Sequence, residues 1–454
     1  MDRRWQIVAE FSKVLMFDGR WLMVRRDFKD LLRHATWKFF AWLVVGWMVA
    51  PCSFAQPSSD ATSWARFRGP NGQGWLPECR VPMPWRPDQV AWSIDLPGEG
   101  NGSPVLWRDR YYLLSANPQT EKRQLICGDL ATGKAIWIEE FSSPSFPIHK
   151  LSSFASCTPC VDETGVYAAW ATPEQLVVKA FSHEGKELWS RDLGRYVSQH
   201  GFGGSPIRVG SLLVLANSQD AQELPEGVAP GEDTWIALDA ASGQDRWRLS
   251  RTATRVCYGA PCVQIDPEGR TVLLGANTGD GFFAIDAETG KQLWSRSAFS
   301  KRVVSSALLT HGMLISTEGS GGGGNVLVAI DASGSGAERF RVTRGAPYVP
   351  TPVATNDHLF LWADNGIVSC LEMPSGKMLW SERIGGNVSS SPVVLGDKLI
   401  GISQEGMVTV LSAGGDFEKL GAIDLAEVVR ATPAASASHL LIRTNKRLIC
   451  IVAP

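Results

Sequence analysis

The chain has 454 residues, with 44 Lys and Arg against 46 Asp and Glu, and 44% of it is hydrophobic. A net charge of -2 and a pI near 6.4 exclude a whole-chain basic footprint for nucleic acid. The balance of apolar and charged residues excludes a disordered chain and a multispan membrane protein; 45 Gly, 26 Pro and 18 Trp point to a turn-rich fold with many large aromatic anchors.

Residues 1–55 differ from the rest. Five tryptophans fall before residue 50, and Arg25, Arg26, Lys29, Arg33 and Lys38 precede an apolar run over residues 39–50. Ser53-Phe54-Ala55 follows as a small-x-small end. Basic region, apolar core and small-residue end are the order of a secretory signal. The run is about 12 residues, too short to span a bilayer comfortably. The expectation is a leader removed on export, with Met16 and Met23 as alternative starts and an uncleaved anchor as the competing reading. Cys52 follows Val49-Ala50-Pro51, where Pro spoils a lipobox. Residues 1–55 carry nine basic and five acidic residues, which leaves 35 and 41, a net charge of -6, for the exported part.

Beyond the leader and a lead-in over residues 56–89, one phrase recurs: an aliphatic run, Asp, a Gly turn and Trp. It reads Asp129-Leu130-Ala131-Thr132-Gly133 before Trp137, Asp239 to Gly243 before Trp247, and Asp286 to Gly290 before Trp294. Weaker copies run from Gly185 to Trp189 and from Gly376 to Trp380. A second phrase, Ser/Thr-Pro opening a short apolar strand, alternates with the first. It occurs at Ser103, Thr158, Ser205, Thr351, Ser391 and Thr432, with Ala260-Pro261 and Ser306-Ala307 as variants. The eight openings are spaced 55, 47, 55, 46, 45, 40 and 41 residues apart. Four strands per unit and no helical period read as propeller blades. The last unit, opening at Thr432-Pro433, ends one strand short, while the strand from Val90 to Leu96 has a repeat-type Trp92 and no partners upstream. That strand is expected to complete the final blade and remove the open edges. The fold expected is all-β: an eight-bladed β-propeller over residues 90–454.

These Asp-x-x-Thr-Gly-Lys-x-x-Trp turns and Ser-Pro openings resemble the repeats of pyrroloquinoline-quinone (PQQ)-type propellers. That superfamily holds quinone-dependent alcohol dehydrogenases and the non-enzymatic lipoprotein of the outer-membrane barrel-assembly machine. The stretch Trp64-Ala65-Arg66-Phe67-Arg68-Gly69-Pro70-Asn71-Gly72 resembles exported PQQ-like repeat proteins of the planctomycete type, as do His149-Lys150 and Ser198-Gln199-His200-Gly201. The resemblance covers residues 64–454 and implies the fold more firmly than an activity.

The resembling dehydrogenases hold PQQ between a vicinal disulfide and a Trp, beside calcium and a catalytic Asp. No two cysteines are adjacent in this chain, and no acidic cluster has calcium-loop spacing. The sequence therefore argues against a PQQ cofactor and against a metal. Cys127, Cys370 and Cys450 share the slot held by Ala237, Ala284 or Ala329 in other units, so they read as core packing. Cys160 and Cys262 read as core fillers after the strand-opening Pro. Cys157-Thr158-Pro159-Cys160 opens a strand rather than a helix, so it reads as structural. A local Cys257–Cys262 disulfide stays open. No Gly-x-Ser-x-Gly elbow occurs, and the Gly-rich run from Gly319 to Gly324 lacks the Lys-Ser/Thr of a phosphate loop.

In a propeller, the segments that link one blade to the next lie on one face near the central channel, where a site is best sought. Here they span 97–102, 142–156, 194–204, 250–260, 296–306, 343–350, 383–390 and 424–431. They hold ten basic residues and three acidic ones, Glu99, Asp424 and Glu427. The candidate ligand-binding residues are His149, Lys150, Gln199, His200, Arg255, Tyr258, Arg302, Tyr348, Asn387 and Arg430. Arginine's planar fork suits carboxylate or sulfate, so an anionic glycan or peptide fits. The competing reading is a solvated rim with the arginines paired to carboxylates of neighbouring blades. The sequence favours a monomeric, exported, non-catalytic binding scaffold of the periplasm or envelope. It would have a protein or anionic partner, no nucleic acid, and membrane contact only through a retained leader. The alternative is an enzyme at the propeller face, a PQQ-dependent oxidoreductase or a polysaccharide lyase or hydrolase.

Overall fold

The computed structural model describes residues 64–454 and, separately, a short antiparallel pair, Leu15–Phe17 with Arg20–Leu22. The apolar run at 39–50, Cys52 and the small-residue end at 53–55 lie outside the described residues. Among the described residues no helix is long and apolar enough to cross a membrane.

Eight antiparallel sheets follow one another along the chain. Blades 1 to 7 are meanders over residues 105–142, 160–192, 207–250, 262–296, 308–342, 353–383 and 393–424. Blade 8 takes three strands from residues 434–452 and its outermost from Val90–Asp95, which pairs antiparallel with Arg447–Val452 and sets Trp92 opposite Cys450. The N-terminal strand thus closes the ring as expected. Central strands are covered on both faces by neighbouring blades and read as continuous apolar runs; Val166–Ala171 and Leu212–Asn217 are buried throughout. Outermost strands are half-exposed and alternate, as Ala135–Ser142 does.

The repeated residues explain how blade locks to blade. The indoles of five outer-strand tryptophans, Trp92, Trp137, Trp189, Trp247 and Trp294, lie on the turn glycine of the next blade. A Cβ on Gly133, Gly243 or Gly290 would come within 2.7 Å of Trp92, Trp189 or Trp247. Those glycines also have positive φ (74°, 71° and 71°), so both demands call for Gly. The Nε1–H of Trp92, Trp137, Trp189 and Trp247 donates to Leu130, His183, Ala240 and Ala287 O at 2.8–2.9 Å. Blade 7 has Gly421 in place of a Trp, and Pro84 of the lead-in packs there instead. The small-residue slot marks a register shift between the third and fourth strands, at Cys127/Gly128, Ala237/Leu238 and Cys450/Ile451 among others. All eight cysteines from Cys79 to Cys450 carry free, buried thiols, Cys257 and Cys262 included. Burial pushes the Cys157 thiol up to about 12, the opposite of a redox-active pair.

Around the channel the opening hydroxyls form a near-continuous ring. The backbone N–H of Ser103, Thr158, Ala260, Ser306, Thr351 and Ser391 donates to the hydroxyl of Thr158, Ser205, Ser306, Thr351, Ser391 and Thr432 at 2.9–3.1 Å. Blade 4 breaks the ring because Ala260 has no hydroxyl to offer, and a second gap lies between Thr432 and Ser103, whose Oγ is buried without a partner.

The lead-in fills the channel. Trp64 O accepts from Leu106 N, Ala65 O from Val161 N, and Gly74 O from Val394 N. Asn71 exchanges two hydrogen bonds with the Val263 backbone. Trp75–Leu76 adds a parallel fifth strand to the inner edge of blade 7. Arg68, 0% exposed, donates to the carbonyls of Gly72, Gln73, Thr351, Pro352 and Pro392 at 2.7–3.2 Å. The unpaired inner edges of five blades are therefore capped by one segment of the same chain.

Candidate functional site at the funnel face

In an up-down meander, the inter-blade segments and the second-to-third-strand turns emerge on the same face. The structure gathers seven of the ten candidate residues there, on the segments that enter blades 2 to 6. The His149 and His200 rings pack at 4.8 Å between centroids with their planes tilted by 53°, and His149 N donates to Gln199 O at 2.9 Å. Ser152 Oγ lies 3.1 Å from His200 Nδ1, and Ser198 Oγ lies 3.3 Å from the Tyr258 hydroxyl. Arg302 donates from Nε to Val256 O at 2.7 Å and holds its guanidinium 5.4 Å from the Tyr258 ring centroid. Its Nη2 is buried without a partner. Arg255 meets Asp220 at 3.7 Å and Glu223 at 2.5 Å. Tyr348 N donates to Asp364 at 2.6 Å.

Three candidates stand apart. Lys150 is exposed. Asn387 is exposed, and its carbonyl accepts from Gln404 N at 2.6 Å. Arg430 is half-buried on the way into blade 8, with Nε unpartnered. No hydrogen bond or ion pair among the described residues joins these three to the others.

The turn carboxylates were not counted in the sequence reading, and they change the charge of this face. Asp220 accepts from Gln199 N and Val256 N at 3.0 and 2.9 Å, Asp364 from Tyr348 N and Val349 N, and Glu318 from Ser300 N and Lys301 N. Arg251 pairs with Asp280 at 3.2 Å. Arg195 donates to Pro230 and Ala229 O, and Lys301 Nζ to Gly323 and Gly324 O, which gives the glycine run a role as a cap. Arg296 turns away to Gly334 O on the next blade. A signal for these carboxylates was present in the turns Asp280-Gly281 and Asp364-Asn365-Gly366.

Burial sets the protonation of the site. His200 is pushed down to about 4 by desolvation, then by Arg302 and His149, so it is neutral at pH 7. The Tyr258 hydroxyl is pushed up to about 12 by burial. Asp233, beside Ala253 N and Asp280, is pushed up to about 7 by burial. A neutral imidazole, two tyrosines and an open guanidinium N–H form a donor set for an acceptor-rich group. Among the described residues no carboxylate hydrogen-bonds either His, so the pair has no base-orienting partner. The residues do not fit a quinone with its metal. The face's carboxylates Asp220, Asp364 and Glu318 are each held by backbone N–H groups, and no three His, Cys, Asp or Glu side chains among the described residues converge as a ligand set.

Fold and face together define a PQQ-type repeat propeller. The chain belongs to the family of outer membrane protein assembly factor BamB, whose model matches residues 86–256, 173–324, 231–350 and 322–416 in overlapping repeats. It is 23% identical over 376 residues to the outer membrane protein assembly factor BamB of Burkholderia pseudomallei, a match spanning 79% of this chain and 86% of that protein. The crystal structure of BamB from Moraxella catarrhalis superposes with a TM-score of 0.59 at 14% identity, covering 80% of this chain and 99% of that one. A quinohemoprotein alcohol dehydrogenase from Pseudomonas putida gives the same TM-score at 13% identity, covering 87% and 80%. At these identities the structural likeness carries the fold alone.

Proposed function

We propose that this chain is an exported, non-catalytic scaffold of the cell envelope that binds an acidic segment of a protein partner at the funnel face. The assembly role named for the family supports the envelope and protein-binding parts of the reading. The observation that carries the site is Arg302, whose Nη2 is buried and unpartnered between Tyr258 and the Arg255–Asp220 pair. An unsatisfied guanidinium N–H in a sheltered site is worth more to a carboxylate than a solvated one. The neutral His200 imidazole, packed against His149, contributes a hydrogen-bonding wall.

The test uses the full chain and a polyglutamate peptide, with polylysine as control. Binding to polyglutamate is expected, weakened at least tenfold in the combined Arg255→Ala and Arg302→Ala variant. Unchanged affinity in that variant would sink the funnel site. Cross-linking in the envelope fraction, compared between wild type and the same variant, tests whether protein partners use this face.

A further inference from the structure

Among the described residues three arginines have at most 1% of their surface exposed: Arg68, Arg443 and Arg123. The fold compensates them unequally. Arg68 donates to five carbonyls, and Arg443 donates through Nη1 to Gly102 and Leu114 O at 2.8 and 2.6 Å. For Arg123, Nε, Nη1 and Nη2 are all buried with no partner. Its guanidinium lies 4.3 Å from the Phe154 ring centroid. A ring face does not replace the hydration of five N–H donors. Deprotonation offers no escape at neutral pH, since burial lowers this group only to about 10.

The one nearby counter-charge is not in contact: Glu121, in the turn just before the strand, acts on Arg123 only through space and turns its carboxylate to Ser145 N at 3.0 Å. No carboxylate among the described residues lies within ion-pair distance of Arg123. Phe141 stands directly opposite Arg123 in the strand register, and Ser143 is the next residue on that face. The Ser143 hydroxyl is also buried without a partner. Phe141 borders a 430 Å³ cleft between blades 1 and 2, so solvent reaches the wall of this position.

We propose that Arg123 and Ser143 form an oxyanion-binding site between blades 1 and 2, covered by residues 143–154, the segment that also carries His149 and Ser152, with donors distinct from those of the funnel cluster. The occupant is a single carboxylate, phosphate or sulfate group, held by the planar fork of the guanidinium with the Ser143 hydroxyl as a further donor. Arg68 shows how this fold satisfies a buried guanidinium from its own backbone; at Arg123 the partner comes from outside the chain.

Thermal melting of the full chain in phosphate, sulfate, acetate and chloride at one ionic strength tests this. At least one oxyanion is expected to raise Tm with the logarithm of its concentration above its Kd, by ~2 °C at ten times that Kd, while chloride does not. Arg123→Met keeps the packing on Phe154 and loses the rise; Ser143→Ala keeps the rise but displaces it several-fold to higher concentration. Each melt is repeated in an Arg302→Ala background, where the funnel donor is gone, and the part of the rise that Arg123→Met removes there belongs to this site. A rise with phosphate and sulfate alone assigns a tetrahedral group, and one with acetate a carboxylate such as a peptide side chain offers. Should Arg123→Met fail to fold, a selenate-soaked wild-type crystal decides: an anomalous peak beside the guanidinium supports the site, and water density alone overturns it. Equal rises in all four salts, no rise at all, or a rise retained in Arg123→Met also overturn it.

Discussion

His200 and Asp233 lie at the funnel face and are shifted by the same cause, loss of water, with opposite consequences for stability. His200 titrates near 4 in the folded chain against about 6.5 unfolded. The unfolded chain binds the extra proton between those values, so this contribution to stability is lost as pH falls from about 6.5 toward 4. Asp233 titrates near 7 folded against about 3.9 unfolded. There the folded chain binds the extra proton, so stability declines as pH rises from about 4 to 7. The two slopes oppose one another in the wild type across their shared window. His200→Gln is expected to leave a Tm that falls more steeply with rising pH between 4 and 6.5. Asp233→Asn, which keeps an acceptor for Ala253 N, should gain on the wild type as pH rises from about 4 to 7 and hold that gain above it. Parallel Tm profiles in wild type and both variants would show that neither group is buried as described. From the sequence both residues were visible as letters, and His200 was singled out. Their protonation was not legible, because desolvation depends on which segments cover them.

The strand openings act at the scale of the element. The hydroxyl of Thr351 accepts from Ser306 N at 3.0 Å while its own N–H donates to Ser391, so one side chain ties blade 5 to blade 6 and its backbone ties blade 6 to blade 7. Thr351 is 2% exposed, so removing the hydroxyl leaves the Ser306 N–H buried and unpaired. Thr351→Ala should cost about 1 to 3 kcal/mol, read as a lower urea midpoint, and Thr351→Ser should restore most of it. A Thr351→Ser variant as unstable as Thr351→Ala would mean that the lost methyl, not the hydrogen bond, matters. The Ser/Thr-Pro repeat was plain in the sequence and correctly marked the first strands. The reason for Ser or Thr was not, because donor and acceptor stand 45 residues apart and meet only when blades are ranked around an axis. The Trp and Gly of the turn phrase behaved alike: their period gave the blade count, while their mating across blades emerged from packing.

At the scale of the whole molecule, the ring is fastened twice by residues before 96. Val90–Asp95 closes blade 8, and residues 64–76 run through the channel with Arg68 at the centre of a carbonyl cradle. Arg68→Ala strands carbonyls of blades 6 and 7 and should cost at least ~3 kcal/mol, with faster proteolysis around residues 64–76. Arg68→Lys should recover only part, because an ammonium has three donors on one atom where the guanidinium spreads five over a plane. Wild-type stability in Arg68→Ala would show that the segment is a passenger. The amino-acid sequence by itself determined eight blades, their strand order and the strand that closes them, because each blade is a local meander whose turns and alternation are written within about 45 residues. Only the tertiary structure decided what occupies the channel, which carboxylates neutralise the funnel arginines and which buried arginine is left without a partner. Those outcomes rest on contacts between residues 36 to 324 positions apart, set by the closure of the ring rather than by any local pattern.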